Sequence, residues 1–361
     1  MDKQRLSWLK LISLGLKQLN KTLAICFLVI LGDVALTAKA QIIPDNTLGI
    51  ENSTIRAVIL NDLPSTQIEG GAVRDSLLFH SFQEFNIDEG HGAYFFNPDD
   101  ISTIFSRVTG SNSSNLLGTL GVLGSADLVF LNPNGVLFGP NSELDIEGSF
   151  TATTANEIVF PNGEVFSAGI PEVPSLIENN LVAPIGLIFE GPTFAPIVSQ
   201  GNLSVGKDLT LSAHTISAQG ELLADNDLTL QAEDTVQIRD SADRAFVAIA
   251  GNILTITGQN QVDIFALNHP QSILASGGDM TLQSANPVLG DAHYVAGGSF
   301  RIEDLAGELA PLISEVDPII ATANDVELGG YTGASLHILA GGQVLVTGDI
   351  EITGPDATAT S

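Results

Sequence analysis

The feature that most constrains this chain is a repeat. Gly201-Asn202-Leu203-Ser204-Val205 precedes Asp208-Leu209-Thr210-Leu211, and Gly220-Glu221-Leu222-Leu223 precedes Asp227-Leu228-Thr229-Leu230. Similar units start at Gly251, Gly278, Gly298 and Gly342, and the cleanest neighbours lie about 19 or 20 residues apart. A period of this size signals a solenoid whose turns each hold about three short strands. Within a unit, Leu, Ile or Val alternates with Thr, Ser or a charged residue. One set then points inward to meet the same position of the next coil, and the other faces water. Gly, Asn and Asp fall between the runs, where corners call for positive φ. A single coil cannot bury its apolar face, so stability comes from stacking. The expected fold is all-β, a parallel β-helix with a polar tail at 356–361. The competing architecture is a β-sandwich with coincidental spacing.

Ahead of the repeats the same strand-and-turn pattern holds, as in Thr54-Ile55-Arg56-Ala57-Val58-Ile59-Leu60 and Gly135-Val136-Leu137-Phe138-Gly139. One exception is expected at 98–105. There Asp99 and Asp100 suit the cap of a single helical turn before Ile101, Ile104 and Phe105. Residues 156–197 carry Pro161, Pro171, Pro174, Pro184, Pro192 and Pro196. Each proline removes a ladder donor, so this stretch reads as excursions from the main body with a return near Ile197.

Charge narrows the partners. The chain has 13 basic and 42 acidic residues, a net charge of -29. Six of the basic residues (Lys3, Arg5, Lys10, Lys17, Lys21, Lys39) but only two acids, Asp2 and Asp33, precede Gln41. The remainder is therefore more acidic still and repels nucleic acid and anionic lipid. The basic, amphiphilic start is followed by an apolar run from Leu23 to Leu31 and then by Ala38-Lys39-Ala40. That is the order of a secretory signal with cleavage after Ala40, leaving Gln41 first. The apolar run is short for a membrane span. Cys26, the one cysteine, lies within it, so the mature chain has no thiol.

At Asn132-Pro133-Asn134-Gly135, set in the run from Ala126 to Ala155, the chain resembles the haemagglutination-activity, or two-partner-secretion, domain of filamentous-haemagglutinin-like exoproteins. Upstream, Phe79-His80-Ser81-Phe82, Tyr94-Phe95-Phe96-Asn97-Pro98 and Ile104-Phe105-Ser106-Arg107-Val108-Thr109-Gly110 are similar to the same family in the expected order. The run Tyr331 to Gly342 looks like segments of large cyanobacterial exoproteins of this class. One element departs from the family: Asn97-Pro98 continues with Asp99-Asp100 where relatives usually have Asn-Leu. The resemblance implies a right-handed parallel β-helix with an N-terminal cap and extra-helical loops or hairpins. It also implies recognition by the periplasmic polypeptide-transport domains of an outer-membrane β-barrel transporter, with folding outside the cell. Residues 41–198 would form the secretion domain and 199–355 a β-helical passenger segment.

Two roles are open to Asn132, Pro133, Asn134 and Gly135, and likewise to Asn97 and Pro98. Pro133 fixes φ and Asn134-Gly135 suits positive φ, which makes a fold-closing turn. Alternatively, the transporter reads these residues directly. The six histidines (His80, His91, His214, His269, His293, His337) show no metal-site spacing, and Asp208, Asp225, Asp227 and Asp279 lack the calcium-binding nonapeptide pattern. No G-x-S-x-G, G-K-[ST] or H-E-x-x-H is present. The expectation is a non-enzymatic, adhesin-like exoprotein without metal or cofactor, secreted or held at the cell surface. Its glycan or protein ligand is not specified by the sequence. The alternatives are a secreted polysaccharide-active β-helix enzyme and a truncated export module of a larger effector.

Overall fold

The computed structural model describes residues 41–169, 184, 186–189 and 194–354. Their strands build three long sheets, which the chain visits in a fixed order. One coil shows the pattern. Leu209–Ala213 lies in the first face, Thr215–Ala218 in the second and Glu221–Ala224 in the third, and Leu228–Ala232 re-enters the first. Consecutive coils pair in parallel, which a sandwich of antiparallel sheets does not do. The fold is a parallel β-helix.

Register follows from the alternation in sequence. Leu209, Leu228, Leu254, Met280, Phe300 and Val326 stack in one inward ladder, and Leu211, Leu230, Ile256, Leu282 and Ile302 in another. All eleven are fully buried. Between the two ladders run Thr210, Thr229, Thr255 and Thr281, half-exposed on the outer side. Slipping any strand by one residue would put threonine in the core, so the alternation itself specifies the register.

The corners correct one expectation. Gly251, Gly277 and Gly297 stack at the same corner, and none of them has positive φ. Their requirement is room. A Cβ on Gly277 would lie 2.1 Å from the Gly251 carbonyl oxygen, and one on Gly297 would lie 2.2 Å from that of Gly277. The acidic residues at these corners serve the next coil. Asp208 Oδ1 accepts from Asn226 Nδ2 (2.6 Å) and the Asp227 amide (3.2 Å). Asp227 Oδ1 accepts from Asn252 Nδ2 (2.8 Å) and the Ile253 amide (3.0 Å). Asp279 likewise takes the Ser299 amide (2.7 Å). These carboxylates satisfy backbone donors that a tight corner would otherwise strand.

At the N-terminal end, Ile42–Pro44 pairs antiparallel with the end of Leu77–Phe85, and Ser53–Leu60 and Leu63–Gly70 form a hairpin. Asn61 and Asp62 supply its turn at positive φ. Residues 98–105 do not form the expected helical turn. Asp99 and Asp100 make a tight turn, and Thr103–Val108 is a strand of the first face. Its neighbours Ile104 and Phe105 are needed on opposite sides: Ile104 is buried inside the coil, and Phe105 is buried outside it.

The proline-rich stretch does leave the solenoid. Glu157–Val159 pairs antiparallel with Val165–Ser167 and with Gly186–Ile188, and Pro196–Ser199 returns to the second face. This small sheet covers the outer side of the first face. Phe160 and Phe166 pack there on Phe79, Phe105 and Leu131. The expected signal peptide with Ala38 and Ala40, the tail and Pro171, Pro174 and Pro192 lie outside the described residues. Among the described residues no helix is long and apolar enough to cross a membrane.

Candidate functional site

The first face carries an Asn-Pro corner at each of its edges. Asn132 follows Asp127–Leu131 and leads into Val136–Phe138 of the second face. Asn97 follows Gly92–Phe96 of the third face and leads into Thr103–Val108. The fold thus places the two corners at opposite edges of one face and does not bring them together.

At the Asn132 corner the polar atoms turn inward. Asn132 is fully buried. Its Nδ2 donates to the Asn112 carbonyl (3.1 Å) and to Ser114 Oγ (2.9 Å), both in the preceding coil. Its Oδ1 accepts from the Asn134 amide (2.9 Å), and its backbone carbonyl accepts from the Gly135 amide (3.1 Å). Asn134 Nδ2 donates to the Gly110 carbonyl (2.8 Å), and the Asn132 amide donates onward to Thr153 (3.0 Å). The motif therefore ties three successive coils at one corner. Positive φ falls on Gly135 alone, at +111°, and not on Asn134 as expected. A Cβ at Gly135 would also press on the Pro196 carbonyl at 3.1 Å. Pro133 is buried. Exchange of Asn132 for an apolar residue would leave buried acceptors without donors, which costs more than one ordinary hydrogen bond.

The Asn97 corner is looser. Asn97 and Pro98 are half-exposed, and the Pro98 carbonyl accepts from the Ile101 amide (3.0 Å). With the Asn97 amide nitrogen facing the backbone, it donates to the carbonyls of Pro98 (3.1 Å) and Ile101 (3.2 Å). Asp99 and Asp100 are exposed where relatives of the family usually carry Asn-Leu.

Between these corners lies a polar knot that sequence reasoning did not find. Arg107 is fully buried. Its Nε donates to Ser81 Oγ (3.0 Å), Nη1 to the Ser167 carbonyl (2.7 Å) and Nη2 to Thr47 Oγ1 (2.9 Å). The guanidinium lies 4.4 Å from the centre of the Phe166 ring. Burial lowers its pKa to about 10, with Asp45 opposing, so it stays charged at neutral pH. Asp45 completes the knot, accepting from the Thr47 amide (2.9 Å), Thr47 Oγ1 (2.7 Å), Ser81 Oγ (2.8 Å) and Thr109 Oγ1 (2.6 Å). Burial would raise its pKa, but these hydrogen bonds outweigh burial and hold it below the ordinary carboxylate value. The knot joins the N-terminal segment, two coils and the extra-helical sheet. The signal in sequence was an arginine inside the apolar run 104–108. Its partners were not legible, because they come from segments with no strong pattern of their own.

The histidines are dispersed through the fold. His80 is buried inside the first coil, where its Nδ1 lies 3.0 Å from Ser53 Oγ and its Nε2 has no partner. Burial lowers its pKa to about 3, so it is neutral. The second face carries a groove lined by Arg239, Asp263, Phe265, Leu289, Asp291 and Ile313. Two of its carboxylates are already engaged. Asp263 pairs with Arg239 at 2.5 Å, and Asp291 accepts from Ser314 Oγ (2.5 Å) and the amides of Glu315 (2.8 Å) and Val316 (2.9 Å). Both carboxylates are thereby held in contacts that brace the surface, and Glu315 also lines the groove.

A family model described as the TPS secretion domain matches residues 40–302. The chain therefore belongs to the two-partner-secretion (TPS) secretion-domain family, the export-directing domain of exoproteins that leave the cell through a partner transporter. A heme/hemopexin-binding protein of Haemophilus influenzae is 34% identical over 100 residues, which are 28% of this chain and 10% of that protein. The chain thus spans about a tenth of that relative's length. Two solved structures are similar. The filamentous hemagglutinin secretion domain has a TM-score of 0.47 at 16% identity, covering 86% of this chain and 99% of that one. The HMW1 secretion domain of Haemophilus influenzae has a TM-score of 0.45 at 14% identity, covering 83% and 98%.

Proposed function

We propose that this chain is the export-directing part of an adhesin-like exoprotein. Residues 1–40 act as a signal peptide cleaved between Ala40 and Gln41. Residues 41–198, chiefly 41–154, engage the periplasmic domains of an outer-membrane β-barrel transporter. Residues 199–355 are a β-helical passenger that follows, and the product is released or stays at the cell surface. The family match over residues 40–302 is the observation that supports export through a partner transporter.

The geometry supports a particular role for the corners. Asn132 is fully buried in the folded chain, and its amide is consumed by the neighbouring coil. A partner can read that side chain only before the coil closes. Its role in export is then to close the N-terminal coils once they have emerged, so that each coil serves as a template for the next. Asn97, half-exposed, is the corner open to direct contact.

The test is expression of the full chain with and without its cognate transporter. Mature protein beginning at Gln41 is expected in the medium, or on the surface, only when the transporter is present. Equal retention in the periplasm in both cases would overturn the reading.

A further inference from the structure

On the second face, the outward positions of successive coils form a row that changes character once. Ser217 pairs with Gln237, Gln237 with Asp263, Asp263 with Leu289, Leu289 with Ile313, and Ile313 with Thr332. The row is polar except at Leu289 and Ile313. Beside it, Phe265 stands between Arg239 and Asp291. Leu289 is 38% exposed, and Phe265 and Ile313 are half-exposed. These three side chains floor a cavity of about 500 Å³. It lies well inside the sheet, since Val288–Asp291 has described strands of the second face on both of its sides. The recess has a cause in the backbone. The coil through Leu289 turns to the third face with Ala292 alone, whereas the coils on either side use 266–272 and 314–318. Glu315, from the second of these longer loops, forms one wall.

We propose that this cavity binds a neutral oligosaccharide laid along the solenoid axis. An apolar floor edged by a few polar groups is the chemistry of a ligand site. A pyranose ring offers a C–H face, which suits Phe265, Leu289 and Ile313, and a rim of hydroxyls, which suits the polar groups at the two ends. Arg239 and Asp263 stand at one end and the exposed Glu315 at the other. A hydroxyl that donates to Glu315 makes a charge-assisted hydrogen bond, whereas a purely apolar ligand would cover that carboxylate without giving it a donor. Length matches as well. Side chains of one row repeat at the strand spacing of about 4.8 Å, close to the length of one pyranose unit, so successive rings meet successive coils. Charge selects within the class. Asp263, Asp291 and Glu315 line the cavity with Arg239 as its one cation. Uronic-acid and sialic-acid chains are therefore repelled.

The experiment uses the purified mature chain from Gln41 without a transporter, so it stands or falls apart from the export reading. Calorimetry is run with six neutral probes, the α- and β-linked hexasaccharides of glucose, galactose and mannose, and with hexagalacturonate. At least one neutral probe is expected to bind with a Kd below about 1 mM, and hexagalacturonate is not. Phe265→Ala should weaken that binding by about tenfold or more and Glu315→Gln by about fivefold. Leu289→Lys, at an exposed floor position, should abolish it, and Thr229→Ala on the first face should leave it unchanged. Far-ultraviolet spectra check that each variant is folded. No binding by any neutral probe, equal binding of hexagalacturonate, or binding indifferent to the floor and wall variants would overturn the proposal. Glu315→Gln and Leu289→Lys, both at exposed positions, decide the matter if Phe265→Ala does not fold.

Discussion

At the N-terminal end, the first face carries aromatic side chains on both of its sides; at the far end, the last two strands of that face carry only aliphatic side chains on the inside. Phe79 and Phe105 stack outside the coil with ring centres 5.2 Å apart, under Phe160 and Phe166. Phe85 meets Phe95 and Phe130 inside it, at 6.0 and 5.0 Å. The far coils have Val326, Leu328, Val344 and Val346 at the corresponding inward places. The two ends also differ in polar chemistry. The first coils bury an arginine, a histidine and an asparagine, and the arginine is fixed by Thr47 and Ser167, each 60 residues away in sequence. In the later coils the corner aspartates bond the adjacent coil only. A repetitive stack can grow coil by coil with local contacts, whereas its first coil has no template and needs contacts of its own. The N-terminal end is where the stack has no preceding coil, and it holds the specialised residues.

The largest effect that tests this contrast is truncation in the two places. Phe79→Ala removes a fully buried ring from the outer cluster and is expected to cost about 4 kcal/mol. Val344→Ala, half-exposed on the last rung, should cost about 1 kcal/mol or less. Urea denaturation of the mature chain measures both, and equal costs would erase the distinction. Next in size is Arg107→Met, expected to cost about 3 kcal/mol, because the hydrogen bonds that a buried cation donates to Ser81, Ser167 and Thr47 are lost and Asp45 no longer faces that charge. Its signature beyond stability is faster amide exchange at both Ile42–Pro44 and Val165–Ser167, since the knot is what ties these segments together. Exchange that quickens at only one of them would show that Arg107 does not couple the two.

A pH series separates the ends without a change in packing. His80 is held neutral by burial, its pKa lowered to about 3, against about 6.5 in the unfolded chain. Below pH 6.5 the unfolded state therefore binds a proton that the folded state does not. Stability is full above that value and falls as the pH drops toward 3, by at most about 1.4 kcal/mol per pH unit. By pH 5 the expected loss is about 2 kcal/mol, and His80→Asn should flatten it. Asp45 does not contribute in this window. Its lowered pKa stabilises the fold above the ordinary carboxylate range and is lost only at more acid pH. A slope between pH 6.5 and 5 that survives His80→Asn would assign it elsewhere.

Much of the later solenoid was legible because inward Leu, Ile and Val alternate with outward Thr at a constant spacing. The excursion at 156–197 was legible from its prolines. The helical turn expected at 98–105 was not formed, because Ile104 and Phe105 at adjacent positions fit a strand buried on both faces, and nothing local shows that a second layer covers the outer side. The corner glycines were read for φ when most of them answer to the carbonyl of the coil below. The Asn132 corner was found from its motif. The Arg107 knot was missed because Asp45, Ser81 and Ser167 converge only in the folded chain.

The smallest expected effect bears on function. Asn132→Ala should cost about 2 kcal/mol, since it strands buried acceptors, and Asn97→Ala about 1 kcal/mol, since its bonds are half-exposed. Secretion measured for these two variants, alongside Arg107→Met and Phe79→Ala, gives export as a function of stability. If the corners act only by closing coils, all four variants fall on one curve and Asn97→Ala is the mildest. If Asn97 is read by the transporter, its variant exports far less than its stability warrants. Asn132→Ala should still lie on the curve in either case, because its amide is spent on Asn112 and Ser114. A departure by Asn132→Ala would mean that the unfolded chain is read at that position before the corner forms, which would move recognition ahead of folding.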